Sequence, residues 1–157
     1  MHKPAVGLDK CDLFADLNPM ELQEVAKLTT KTSYHPGDVV AELDSDIPEI
    51  FVVLAGTVDI VSLKGVSLYH ASTGEMFGES AAVHGLHKTS RAVARDECQV
   101  LSLPLNHLDN IGRENPGIVK AIEKNIMHSL AVRLARMQKL VELLKAELAR
   151  AVKRQGE

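Results

Sequence analysis

Aromatic side chains are scarce in this sequence: three Phe and two Tyr make up 3% of 157 residues, and there is no Trp. Surfaces that hold single-stranded nucleic acid stack successive bases on aromatic rings, so this class of partner is excluded. A basic excess is missing as well. Lys and Arg number 18 against 21 Asp and Glu, for a net charge of −3, whereas gripping a duplex backbone takes many uncompensated cations. Long apolar runs are also lacking. The longest strongly apolar stretch, Ile50 to Ala55, falls far short of the roughly 20 residues that span a bilayer. Met1-His2-Lys3-Pro4 has no apolar segment behind its one basic residue, and the expected location is cytoplasmic, with neither DNA nor membrane as partner. Cysteine is limited to Cys11 and Cys98, far apart and outside any C-x-x-C. A disulfide framework, an iron–sulfur cluster and a cysteine zinc site each lack ligands, and two reduced, buried thiols are expected.

What remains is a composition of 45% hydrophobic and 25% charged residues, that of one ordinary domain able to bury a single core. With no Ser/Gly linker in view, residues 1–157 read as one domain in three zones: helical over 8–33, a β-roll over 34–104, and C-terminal helices over 106–154. In the first zone Asn18, Pro19 and Glu21 have the spacing of a capping box with Pro at the first helical position. Leu17 and Leu22 suit a hydrophobic staple, and Leu22, Val25 and Ala26 share a face. The second zone is punctuated by Pro36-Gly37, Gly56, Lys64-Gly65 and Gly74. Pro-Gly fits a type II turn. Between the turns, Ile50 to Leu54 is a continuous apolar run, Val58 and Ile60 alternate with Asp59, and Val66 and Leu68 alternate with Ser67 and Tyr69. Short strands at this spacing predict an antiparallel β-roll or jelly roll, and an α+β class once the flanking helices are included.

Asn106 is the candidate cap of a short helix in the third zone, and Asn115-Pro116 opens a longer one that meets no Gly or Pro between Gly117 and Gly156. Met127, Leu130, Leu134, Met137, Val141, Leu144, Leu148 and Ala151 recur at alternating steps of three and four, a heptad seam suited to a homodimer. Ile118, Ile122 and Ile126 follow a different stripe, which predicts a bend or a change of partner near Met127. Charges on the last helix alternate in sign, as on a solvated face with pairs such as Glu147 and Arg150.

The stretch richest in chemistry is Phe77 to Ala94, FGESAAVHGLHKTSRAVA. Gly78 permits close backbone approach, and Glu79 to Val83 can form one or two helical turns whose free N–H groups favour an anion. A carboxylate at Glu79 would repel a phosphate. It fits better as an acceptor for a sugar hydroxyl, with Lys88 and the Thr89 hydroxyl meeting the phosphate.

Phe77-Gly78-Glu79-Ser80-Ala81-Ala82, followed nine residues after the Glu by Lys88-Thr89-Ser90-Arg91-Ala92-Val93-Ala94, resembles the phosphate-binding cassette of the cyclic-nucleotide-binding domain family. That family includes the bacterial catabolite activator group, regulatory subunits of cyclic-nucleotide-dependent kinases, and nucleotide-gated channels. The likeness extends to Leu13-Phe14, to Tyr34-His35-Pro36-Gly37-Asp38, to Ile50 through Gly56 and to the long last helix. It implies a β-roll enclosing the cassette, flanked by N-terminal helices and a long C-terminal dimerisation helix. It also implies a cyclic nucleotide, cAMP or cGMP, as ligand. Glu79 and the Gly78 backbone would bind the ribose 2′-hydroxyl beside Phe77, Ser80, Ala81 and Ala82 would offer amides, and Thr89 would contact the phosphate or base edge. A Thr at this point is a pointer towards cGMP, and Arg133 is the candidate base contact from the last helix. The chain stops where transcription factors of the family begin a DNA-reading module, so a stand-alone sensor acting on an effector protein is expected.

Lys88 replaces the family's Arg, a point charge instead of a two-pronged donor; Arg91 is the possible substitute, although on a strand it should point opposite to Lys88. Asp44 or Ser45 stands where the family has a turn Gly. The substitution at Lys88 keeps open a degenerate module serving as a dimeric adaptor, or one that binds a cyclic dinucleotide. His84 and His87 form H-x-x-H without a third ligand, so no metal is expected, and no nucleophile and base have a defensible spacing, so no enzyme is expected. With so few rings to stack on a purine, a base is expected against aliphatic walls.

Overall fold

The computed structural model describes residues 7–42, 47–82 and 90–156, with positions 81 and 82 described through their backbone. One compact unit ends at Ile126 and a second begins at Met127, where the sequence reads as a single domain.

The first unit starts with two single 3-10 turns, Leu8–Lys10 and Asp12–Phe14, and helix α1, Pro19–Ala26. The capping box is present: the Asn18 Oδ1 accepts the Glu21 N–H at 3.0 Å, and the Glu21 carboxylate accepts the Asn18 N–H at 2.9 Å. The helical zone is shorter than 8–33, because Thr30–Tyr34 forms strand β1. This stretch has no apolar 3.6-residue repeat, and it pairs from Thr30↔Ser102 to Tyr34↔Cys98 with the last strand. Seven more strands follow: β2 Val39–Ala41, β3 Glu49–Ala55, β4 Thr57–Ser62, β5 Ser67–Ser72, β6 Met76–Phe77, β7 Ser90–Ala94 and β8 Cys98–Pro104. They form two four-stranded antiparallel sheets, ordered β1-β8-β3-β6 and β2-β7-β4-β5. The fold is therefore α+β with an antiparallel β-roll, as the sequence predicts. At the β1–β2 turn Gly37 has φ +90°, and the Asp38 N–H donates to the His35 carbonyl at 3.0 Å, the geometry of a type II turn.

Between the sheets lie Val40, Phe51, Val53, Val58, Ile60, Ala71, Phe77, Ala92, Ala94, Cys98 and Val100. Strand β3 is buried on both faces, which explains its unbroken apolar run: Phe51 and Val53 enter this core, while Ile50 and Val52 are equally hidden on the other side. Leu13, Phe14, Ile118 and Ile122 of the helical segments are also fully buried. Each such side chain contributes about 1.5–3 kcal/mol on burial. The Asn125 amide, buried among them, donates to the carbonyls of Leu13 at 3.0 Å and Ala15 at 2.8 Å, which ties the N-terminal turns to the helix that carries it.

Strand β5 faces opposite to its expected orientation. Tyr69 and Ala71 turn inward while Val66 and Leu68 are exposed, because Ala71 and Tyr69 pair directly with the buried Val58 and Ile60 of β4 and alternation then turns Leu68 out. Helix α2, Asn106–Glu114, is capped by Leu105 rather than Asn106. The Leu105 N–H donates to the Pro48 carbonyl at 2.9 Å, fixing a helical conformation one residue early. Helix α3 spans Pro116–Gln155; its stripe Ile118, Ile122 and Ile126 is buried in the first unit. In the second unit Met127, Leu134, Val141, Leu144 and Leu148 of the heptad seam are exposed, and Arg150 pairs with Glu147. Both cysteines are free and buried. Burial, with the charges of Asp12 and Asp9, pushes the Cys11 thiol up to about 11, which keeps it protonated and unreactive. No helix among the described residues is long and apolar enough to cross a membrane.

Candidate functional site

Residues from both sheets line an open recess of about 420 Å³, its solvent mouth included. The elements that form it are far apart in sequence. Ala41 and Glu42 come from the end of β2, Phe51 from β3, Ile60 from β4 and Tyr69 from β5. Phe77, Gly78 and Ser80 come from β6 and the turn after it, and Ser90, Arg91 and Ala92 from β7.

The floor depends on one glycine. Gly78 has φ +82°, and a Cβ built there would lie 3.1 Å from the Glu49 carbonyl and 3.2 Å from the Phe51 ring. The backbone leaving β6 is thus pressed against β3 as only glycine allows without strain. The next residue, Glu79, begins the 3-10 turn Glu79–Ala82 and has 1% of its surface exposed. It is one of two buried polar side chains among the described residues, the other being Asn125. Withdrawing a carboxyl group from water is costly unless it is partnered. Glu79 lies beside the recess wall rather than on it.

Three of the five aromatic residues line the recess. Phe51 and Phe77 stack with ring centroids 5.0 Å apart and planes 8° from parallel, and the half-buried Tyr69 packs on the same core. The expectation of aliphatic walls is corrected: scarcity in the whole chain says nothing about where the few rings gather, and here they gather at one site.

The charged groups on this wall, among the described residues, are Glu42 and Arg91. Strand alternation turns Ser90, Ala92 and Ala94 inward and Arg91 outward, yet the length of the Arg91 side chain carries its guanidinium to the rim, where Nε donates to Glu42 Oε2 at 3.1 Å. Of the residues singled out in the sequence, Phe77, Gly78, Ser80 and Arg91 therefore meet at one recess, with Glu79 adjacent. Ala81 and Ala82 complete the 3-10 turn. Lys88 and Thr89 lie outside the described residues, as do His84, His87, Asp44 and Ser45. Arg133 belongs to the second unit and is half-buried there. The sequence reading missed Glu42, Phe51, Ile60 and Tyr69 as wall residues. Alternation in β4 marked Ile60 as inward, but nothing local linked it to the cassette. No group of three or more His, Cys, Asp or Glu among the described residues is arranged to hold a metal ion.

Comparison with known proteins adds four likenesses. Residues 31–115, more than half of the chain, match the profile of the cyclic nucleotide-binding domain. The fold is similar to a cyclic nucleotide-binding domain from Methylobacillus flagellatus KT, with a TM-score of 0.71 at 16% identity over 82% of this chain and 75% of that one. It is also similar to the catabolite activator protein of Thermus thermophilus, with a TM-score of 0.67 at 23% identity over 85% of this chain and 63% of that one. In sequence, 144 residues are 28% identical to part of a Bradyrhizobium diazoefficiens protein named Glutaminase 2; the match covers 92% of this chain and 23% of that protein's length.

Proposed function

Since the chain belongs to the cyclic nucleotide-binding domain family, we propose that it is a non-enzymatic regulatory receptor for a cyclic mononucleotide, cAMP or cGMP. The observation that carries this reading is the meeting of Phe77, Gly78, Ser80 and Arg91 at one recess. In it, the Gly78 backbone and Glu79 take the ribose hydroxyls, which requires the turn Glu79–Ala82 to open its carboxylate to the ligand. The amides of Ser80, Ala81 and Ala82 meet the phosphate, together with Lys88 and Arg91. Thr89 serves the phosphate or base edge, and Arg133 serves the base. The occupied state is passed through the C-terminal helix, whose exposed seam holds two copies together, to an effector protein in the cytoplasm. The likeness to a stretch of Glutaminase 2 supports an enzyme of that kind as the effector, on the same chain or a separate one.

Lys88, in place of the family's arginine, favours a second reading: an adaptor without a mononucleotide ligand, or a receptor for a cyclic dinucleotide. Thermal denaturation against a nucleotide panel separates them, because a ligand at a hundred times its dissociation constant adds about 2.7 kcal/mol. A shift with cAMP or cGMP is expected. A shift with a cyclic dinucleotide alone supports the second reading, and no shift at all leaves the adaptor. Lys88→Arg is expected to tighten mononucleotide binding, and unchanged affinity removes Lys88 from the phosphate site.

A further inference from the structure

The recess holds a charge arrangement that neither the fold nor the cassette requires. Strands β2 and β7 pair at Val39↔Val93 and again at Ala41↔Ala92, so one extra residue of β2 is accommodated between them. A bulge of this kind re-aims the side chains that follow it. Continued by one position, the shifted register sets Glu42 across from Arg91, and their side chains do meet. Arg91 Nε and Nη2 both lie 3.1 Å from one oxygen, Glu42 Oε2.

A pair that begins just past the end of β7 offers a comparison. Arg95 holds Asp59 with Nε on one carboxylate oxygen and Nη2 on the other, the two-pronged geometry that gives such pairs their strength. That pair does not line the recess. The Glu42–Arg91 contact converges on a single oxygen, with side chains 58% and 46% exposed, and pairs so placed hold each other by a factor of only about one and a half to five. As built, then, the described wall is electrically neutral, and its cation is engaged by an exchangeable anion.

We propose that Glu42 is a built-in counter-ion of the recess: it occupies the Arg91 guanidinium and sets the affinity for a phosphate-bearing ligand by competing for it. This inference rests on reading the recess as a nucleotide site. The ligand phosphate and the Glu42 carboxylate are alternatives at one cation, and a bound nucleotide displaces the carboxylate towards solvent. Glu42 thereby raises the concentration at which the receptor responds and disfavours ligands that meet the wall with apolar groups alone, since these cannot replace the carboxylate on Arg91.

The test is calorimetric titration of cAMP and cGMP into the full chain and into Glu42→Gln, Arg91→Gln and the double variant, at low and high ionic strength. Glu42→Gln is expected to bind about three- to fivefold more tightly at low salt, with a smaller gain at high salt. Arg91→Gln is expected to bind more weakly, and the gain from Glu42→Gln is expected to vanish in its background. Glu42→Ser, with folding checked by circular dichroism, should repeat the gain. If the wild type binds and Glu42→Gln is equal or weaker, the counter-ion role is overturned while the receptor reading stands. The same holds if the gain persists without Arg91. If neither the wild type nor Glu42→Gln binds either nucleotide, both fall.

Discussion

Gly78→Ala is the substitution that most sharply probes the floor of the recess. At φ +82° a Cβ costs about 1–2 kcal/mol in the left-handed region. The added methyl would also meet two atoms that cannot easily withdraw. The Glu49 carbonyl, 3.1 Å away, belongs to β3, which is paired with β6 and β8. The Phe51 ring, 3.2 Å away, is buried and stacked on Phe77. Overpacking of this kind adds about 1–3 kcal/mol, so the total is about 2–5 kcal/mol, or a fall in Tm of roughly 4–20 °C. Gly37→Ala is the control. Gly37 has φ +90° with nothing within 4 Å of a built Cβ, so only the conformational part applies, and its turn lies outside the recess wall. Thermal denaturation and nucleotide titration of both variants give the comparison. Gly78→Ala should lose more stability than Gly37→Ala, and it alone should lose ligand affinity, because moving the Phe51 ring moves the wall. Equal stability losses, or an unchanged affinity in Gly78→Ala, would refute the reasoning.

Three further outcomes are expected. Asn125→Leu leaves the carbonyls of Leu13 and Ala15 without their donor and should cost about 1–3 kcal/mol in urea denaturation; a change within error would show that the buried amide is dispensable. His35 Nδ1 lies 2.8 Å from Glu97, and that hydrogen bond, then the charges of Glu97 and Asp38, hold its pKa above the ordinary 6.5 against a small desolvation effect. The folded value exceeds the unfolded one. The pair's contribution is therefore fully present below about pH 6.5 and is lost as pH rises through the folded value; His35→Gln should flatten that part of the pH–stability curve, and an identical slope in both proteins would contradict it. Light scattering should report a dimer, and Leu144→Asp, on the exposed seam, should shift it to monomer; a wild-type monomer at tens of micromolar would remove the coiled-coil argument.

What could be read from the sequence was set locally. The Asn18–Glu21 box, the Pro36-Gly37 turn and the buried run in β3 each follow from a few adjacent residues, and Phe77-Gly78-Glu79-Ser80 announces its own corner of the recess. Strand β1 could not be read this way. Thr30–Tyr34 is an edge strand with almost nothing buried, so it carries no alternation, and its partner lies about 70 residues away in β8. The face of β5 is chosen by which of its residues pair with Val58 and Ile60 of β4, and the meeting of Glu42 with Arg91 comes from a register slip, which moves a side chain by one position without changing composition. Phe51, Ile60 and Tyr69 join the wall only once four separate strands have been brought together.

Calorimetric titration of cAMP and cGMP into the purified chain tests the receptor reading most directly. A saturable isotherm with one site per chain is expected with at least one of the two, weakened by Arg91→Gln. No measurable heat with either at high micromolar concentration would contradict it.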